Sequence, residues 1–263
     1  MGIVNLTDDS FYAGSRCADV QSAVARITRM VEEGADIIDL GACSTRPGSA
    51  PVGPEEEWRR LEPVLSAVRD GFPDLRISID TYWSSVVRKA YDLIGSFIVN
   101  DISAGEDDSS MLETVGRLGL TYAAMHKRGT PVTMQSLTDY YDVTEEVMSY
   151  FAAFSVKAHE AGIDDWIVDP GFGFAKTTDQ NWQLARDLAG FKKFGRPLLV
   201  GVSRKSMIYK KFSISPEESL PAVQVLHMHS LINGADILRV HDVAEAKRTT
   251  EIYRMVQSDD SHA

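Results

Sequence analysis

Short apolar runs in this chain repeatedly end on residues able to do chemistry: Asn5, Asp80, Asn100-Asp101, Asp169, Ser203-Arg204-Lys205, and Arg239 with His241. Any single Asp or Asn in such a place is as readily a turn residue or a helix cap. The recurrence is harder to explain that way, because the runs themselves are so apolar. Asp80 and Asp169 suit a general acid/base pair. They suit equally a pair of fixed acceptors for a guanidine-like edge such as a 2-aminopyrimidinone, whose parallel N–H groups match a carboxylate. Asn100 offers both a donor and an acceptor to neighbouring ring atoms. Lys205 supplies a positive donor for a ring nitrogen or carbonyl. Arg46, Arg204, Lys205, Arg239 and His241 give local positive charge of the kind an oligophosphate leaving group needs. A solvated rim or structural ion pairs would account for some of these cations, but less readily for Arg239, embedded in Ile237-Leu-Arg-Val240.

The elements that must position these residues alternate between strand and helix. Gly2–Asn5, Asp36–Leu40, Arg76–Asp80, Phe97–Asp101, Leu120–Ala124, Trp166–Asp169, Pro197–Val202 and Asp236–Val240 are nearly continuous apolar runs, as parallel strands covered on both faces should be. Between them Val20, Val24, Ile27 and Val31 fall on one helical face, as do Trp58, Leu61, Leu65 and Val68. Ser215-Pro-Glu-Glu218 carries a helix-start pattern, and Asp142…Glu145 and Asp242…Glu245 repeat its spacing. Gly34, Gly162 and Gly234 stand where helices should stop. Glu33-Gly-Ala-Asp-Ile-Ile-Asp39 is echoed by Asn233-Gly-Ala-Asp-Ile-Leu-Arg239, one helix–glycine–strand unit reused. About eight such units predict a closed (β/α)8 barrel, whose strand ends meet at one mouth, rather than an open doubly wound sheet; no Gly-x-Gly-x-x-Gly turn follows the first strand. The segments Thr7–Asp19 and Gly41–Gly53 are long for such connections and are expected to be mobile binding loops.

Length and composition bound the answer. The 263 residues suit one barrel domain spanning 1–263, and no linker or low-complexity stretch divides them. A net charge of −11 argues against a nucleic-acid partner, so cations for an anionic substrate must be clustered locally. No apolar run is long enough for a membrane helix and no signal segment opens the chain, so a cytoplasmic protein without membrane partners is expected. Cys17 and Cys43 fit no metal, disulfide or redox pattern. Gly171–Lys176 lacks the third glycine of a dinucleotide fingerprint, and Gly201–Ser206 lacks the glycine spacing of a phosphate loop. His227 and His229, two apart on a helix, point to different faces, and His126 is read as a packed histidine.

Taken together, Gly2-Ile-Val-Asn-Leu-Thr-Asp-Asp-Ser-Phe11, Ser44-Thr-Arg-Pro-Gly48, Ile79-Asp-Thr81, Val99-Asn-Asp-Ile102, Asp169-Pro-Gly-Phe-Gly-Phe174, Gly201-Val-Ser-Arg-Lys-Ser206 and Arg239-Val-His-Asp242 resemble the dihydropteroate synthase family over nearly the whole chain. The resemblance implies a pterin-binding α/β barrel that condenses 6-hydroxymethyl-7,8-dihydropterin diphosphate with 4-aminobenzoate, with Mg2+ as cofactor. By this resemblance Asp80, Asn100, Asp169 and Lys205 hold the pterin, Asp80, Asp169 and Lys205 being the catalytic set. Asn5, Arg46, Arg239 and His241 contact diphosphate, and Asn5 also places the metal. Thr45, Pro47, Phe174, Lys205 and Ser206 shape the aminobenzoate pocket, which sulfonamides would occupy as competitive mimics. A homodimer is implied as well.

The chain departs from the family pattern at Asp8, where proline is usual, and at Cys43, where glutamate is common. It also starts almost directly at the first strand, so the barrel bottom is expected to be less well plugged. Two other readings share the ring-binding acids. One is a pterin-binding methyltransferase barrel, against which Ser44–Gly48 and Arg239–His241 argue; the other is an inactive pterin-binding paralogue.

Overall fold

The computed structural model describes residues 1–6, 16–42, 52–130 and 133–257. Among them, eight parallel strands alternate with helices: β1 (Gly2–Asn5), α1 (Arg16–Glu32), β2 (Ile37–Gly41), α2 (Pro54–Gly71), β3 (Arg76–Asp80), α3 (Ser84–Ile94), β4 (Ile98–Asp101), α4 (Met111–Leu118), β5 (Thr121–Met125), α5 (Val143–Glu160), β6 (Trp166–Asp169), α6 (Thr178–Arg186), β7 (Leu199–Val200), α7 (Ser206–Phe212), α8 (Leu220–Ile232), β8 (Ile237–Leu238) and α9 (Val243–Gln257). Strands β1 to β6 pair in sequence order and β7 pairs with β8. Single parallel bridges, Val168 to Leu198 and Gly2 to Val240, join the two sheets into a ring. Both seams are hydrogen-bonded: Val168 N–H donates to Pro197 at 2.9 Å and Ile3 N–H to Val240 at 2.9 Å. This is the (β/α)8 barrel, with ladders at β7 and β8 shorter than their apolar runs.

Two apolar layers hold it. Outward-facing strand residues such as Ile38, Leu40, Ile79, Val99, Tyr122 and Val168 pack under the helices in one large core. Inside the ring, Ile37, Ile98, Ala123, Ile167 and Leu199 form a smaller floor, with Met1 and Ile237 against it. On α1 the fully covered stripe is Ala23, Ile27 and Met30, flanked by half-buried Val20, Val24 and Val31. On α2 it is Leu61, Val64, Leu65 and Val68, while Trp58, which the sequence pattern places on the same face, is half-buried. The helix-start signals had different fates. Asp142 caps α5 through the Glu145 N–H at 3.0 Å. Ser215 and Glu218 exchange both capping bonds, but around a turn ahead of α8. Asp242 instead gives its carboxylate to Arg204, at 2.6 Å. The echoed units do match: Gly34 and Gly234 both sit at positive φ, +92° and +90°, at the end of a helix and just before a strand. No helix among the described residues is long and apolar enough to cross a membrane.

Candidate active site

Side-chain alternation along the strands sorts the polar residues into those that face the barrel axis and those that do not. Asp39 and Gly41 of β2 are level with Ser78 and Asp80 of β3. Asp80 in turn is level with Asn100 of β4, and Met125 of β5 with Asp169 of β6. These stand above the apolar floor, toward the carboxyl ends of the strands. Asp101, one residue on from Asn100, faces the other way. Its carboxylate accepts from Tyr122 Oη at 2.6 Å and from Ser103 N–H and Oγ at 2.7 Å, so it ties the strand end to the helix layer and is not a mouth residue.

A pocket enclosing about 370 Å3, open mouth included, lies at this end of the ring. Six of the residues singled out in the sequence line it: Asp80, Asn100, Asp169, Phe174, Lys205 and Arg239. Four others that sequence reasoning missed complete it: Ile102, Met125, Phe172 and Gly201. Met125 and Gly201 were legible in principle, since each lies two residues beyond a floor residue, Ala123 or Leu199, and so faces the same way.

The most consequential omission is Asp39, fully buried inside the ring. It accepts from Ser78 Oγ at 2.6 Å, Asn100 Nδ2 at 3.2 Å and Arg239 Nε at 2.7 Å. Arg239 Nη2 also reaches Asp80 at 2.9 Å. A carboxylate can only accept, so Asn100 must present its amide N–H to Asp39, and its carbonyl oxygen is left for the pocket. Asp169 is likewise fixed: Oδ1 accepts the Gly171 N–H at 2.8 Å, leaving its second oxygen for a ligand. Lys205 Nζ sits 4.4 Å from the centre of the Phe174 ring.

Burial sets the charges here. It pushes the Asp80 and Asp169 carboxyls above the usual range, an effect that Arg239 offsets at Asp80 and that the Gly171 N–H and Lys205 offset at Asp169. It draws Lys205 down to about 8, with Arg239 adding to the effect and the two aspartates opposing it. Burial would lower Arg239 too, but Asp39 and Asp80 outweigh it and the guanidinium stays charged. His241 differs from the sequence reading. Burial, with the charges of Arg204 and Arg239, holds it at about 4, so at neutral pH it is an uncharged imidazole, its Nδ1 3.0 Å from Ser203 Oγ. Arg204, paired with Asp242, is also no free cation. Asn5 ends β1, exposed and level with Gly41, whose missing side chain leaves room against Asp80. Ser206 begins α7, half-buried. Thr45, Arg46 and Pro47 lie outside the described residues, as do Asp8, Cys43 and most of both long segments.

The family model for pterin binding enzymes matches residues 1–241. The chain is 40% identical over 260 residues to the dihydropteroate synthase of Escherichia coli strain K12, covering 98% of this chain and 90% of that one. The chain belongs to the dihydropteroate synthase family. Solved structures of the family superpose closely. The Yersinia pestis enzyme with a sulfonamide drug matches at a TM-score of 0.90 and 34% identity, covering 98% of this chain and 93% of that one. The Xanthomonas albilineans enzyme with 4-aminobenzoic acid matches at a TM-score of 0.90 and 37% identity, covering 98% and 92%. As a dihydropteroate synthase the chain is a transferase of folate biosynthesis. It condenses 6-hydroxymethyl-7,8-dihydropterin diphosphate with 4-aminobenzoate to give 7,8-dihydropteroate and diphosphate.

Proposed function

We propose that the pocket carries out this condensation by binding the pterin edge-on between fixed partners from opposite sides of the ring. The observation that carries the assignment is the convergence of Asp80, Asn100, Asp169 and Lys205 on one pocket, with Asn100 and Asp169 already oriented by Asp39 and Gly171. Carboxylate oxygens and the Asn100 carbonyl accept from the 2-amino and ring N–H groups; Lys205 donates to the opposite edge. Of the two sequence readings of the aspartates, fixed acceptors fit better than an acid/base pair, because no proton needs to be taken before the bond to diphosphate breaks.

In that step the methylene C–O bond breaks and its electron pair leaves with the diphosphate oxygen. The resulting cation is delocalised into the electron-rich pterin and favoured by nearby carboxylates. The amine of 4-aminobenzoate attacks the methylene and loses its proton afterwards. Arg239 spends Nε and Nη2 on Asp39 and Asp80, and we assign its remaining edge to the diphosphate. His241, uncharged, adds a neutral contact to the diphosphate beside it. Arg46 completes the cationic set by resemblance. Magnesium fits as a hard cation held mostly by substrate oxygens and water. Asn5, exposed at the end of β1, would offer its amide oxygen. When bound it would neutralise charge on the leaving oxygens. Phe174, Lys205 and Ser206, with Thr45 and Pro47, form the aminobenzoate side, which sulfonamides would share as competitors.

We further assign residues 1–263 to one catalytic domain acting in the cytoplasm as a homodimer. Exposed Val225 and Ile232 on α8 and Ile252 and Val256 on α9 support the pairing. The test of function is diphosphate release by the purified protein with and without 4-aminobenzoate. Release that depends on aminobenzoate is expected. Pterin binding without turnover would indicate a non-catalytic paralogue.

A further inference from the structure

The loop from β6 to α6, residues 170–177, forms the Phe172–Phe174 wall of the pocket. Its backbone is contorted: φ is positive at Gly171, Gly173 and Ala175, at +71°, +81° and +49°. A Cβ on Gly171 would come within 2.0 Å of the His126 carbonyl oxygen, so only glycine fits there. This path brings the carbonyls of Gly171 and Phe174 around one side chain. Lys176 Nζ donates to them at 2.9 and 3.0 Å, and lies 3.0 Å from His126 Nδ1. Burial draws Lys176 down to about 7, which the charge of Asp169 opposes; its charged form has three N–H donors, surrounded by these acceptors and, at 3.5 Å, by the His126 carbonyl. Lys176 is only 4% exposed and does not line the pocket.

Its partner is built to accept. Burial holds His126 down to about 2, with the charges of Lys176 and Arg128 contributing, so the ring is neutral, and a charged Lys176, able only to donate, selects the tautomer with its lone pair on Nδ1. Tyr150 meets the imidazole edge-on at 4.9 Å. The His126 backbone N–H donates to the Asp169 carbonyl at 3.0 Å, and the Gly171 N–H bonds the Asp169 carboxylate. The cluster therefore joins the ends of β5 and β6 to the loop. Asn181 of α6 fixes the other side, accepting from Gly173 N–H at 2.7 Å and donating to the Thr177 carbonyl at 2.7 Å. Gly173 in turn lies against Lys205, where a Cβ would stand 3.1 Å from Cδ.

We propose that Lys176 is a positioning residue: its buried amino group clamps the 170–177 loop so that Phe172, Phe174 and Lys205 hold their binding shape before either substrate arrives. The kinetic half of this proposal rests on the synthase reading; the structural half does not. Without the amino group, the Phe174 carbonyl and an imidazole nitrogen lose their donor in a buried site, the Gly171 carbonyl keeps only the Phe174 N–H, and the loop must open to rehydrate them. Phe174 and the Lys205 stem then lose their backing. Asp169 loses the Gly171 N–H that orients it, whereas Asp80 and Asn100, on other strands, keep their partners, so binding of both substrates suffers and saturating substrate restores most of the turnover.

The experiment compares wild type with Lys176→Met, which keeps the length of the side chain without donors, and with Lys176→Gln, which keeps two donors and guards against a variant that does not fold. Hydrogen exchange followed by mass spectrometry should show amides in 171–176 exchanging about tenfold faster or more, while α3 exchanges as in wild type. In steady-state kinetics KM for 4-aminobenzoate and KM for the pterin diphosphate should each rise about tenfold, with kcat at saturation falling less than about threefold. Loop exchange unchanged in both variants would overturn the clamp, as would a loss confined to kcat or exchange quickened across the whole protein. A wild-type protein inactive with these substrates would refute the synthase reading and leave the exchange comparison to decide the role of Lys176.

Discussion

Asp169→Asn is the sharpest test of pterin recognition, because the structure dictates how the new amide must lie. One oxygen of Asp169 accepts the Gly171 N–H at 2.8 Å in a site only 6% exposed. An asparagine must keep its carbonyl oxygen there, since turning the amide over would set two N–H groups against each other. Its NH2 is therefore forced into the pocket, where the wild type presents a carboxylate oxygen. The ring N–H groups lose a charge-assisted acceptor and meet a donor. A hydrogen bond to a charged group is worth about 1.5–3 kcal/mol net, so with partial relaxation the loss should be about 2–4 kcal/mol, or roughly thirtyfold to nearly a thousandfold in Kd. The shape of the side chain is unchanged and the Gly171 bond survives, so the fold should too. The assay is calorimetric titration with 6-hydroxymethylpterin, which lacks diphosphate and isolates the ring site, on a variant whose circular dichroism matches wild type. Unchanged affinity would remove Asp169 from the ring site and with it the orientation argument.

Other residues give independent checks. Asp39→Asn should lower stability by about 2–4 kcal/mol in urea unfolding and weaken pterin binding, because one of its two acceptor oxygens becomes a donor beside Arg239 and Asn100; unchanged values for both would mean the buried network is dispensable. Glu57, fully buried in the first turn of α2, is pushed up to about 8, mainly by burial, which the Thr81 side chain beside it only partly offsets. Between about 4.5 and 8 the folded state holds a proton that the unfolded chain has lost, so Glu57 costs stability increasingly as pH rises through that window, to an upper limit of roughly 5 kcal/mol. Glu57→Gln should therefore melt with wild type near pH 4.5 and clearly above it at pH 8; a gap that shrinks as pH rises would contradict the assignment. Asn5→Ala should raise the magnesium concentration needed for half-maximal turnover several-fold, and full activity of wild type in chelator would sink the metal role altogether.

Much of this molecule is written locally. Eight apolar runs, each short and covered on both faces, predict parallel strands, and the polar residues at their ends converge because a barrel brings all carboxyl ends to one mouth. Asp80, Asn100, Asp169, Lys205 and Arg239 were legible for that reason. So was the cap at Asp142, whose acceptor is three residues away. What the sequence left open depends on partners far along the chain. Asp39 and Arg239 are equivalent residues of the echoed unit, 200 positions apart, and they pair only because the ring closes and brings β8 round beside β1 and β2. That ion pair turns Arg239 from a free cation into one shared between Asp39 and Asp80, and orients Asn100 through the Asp39 carboxylate. Asp101 faces the helices because side chains alternate, a phase that a continuously apolar run does not reveal until the register is known. Burial, not residue type, makes His241 uncharged and draws Lys205 down. The sequence determined which groups are present and at which strand ends; only the closed ring decided which of them neutralise one another and which are left to meet a substrate, because desolvation and ion pairing are properties of neighbours in space.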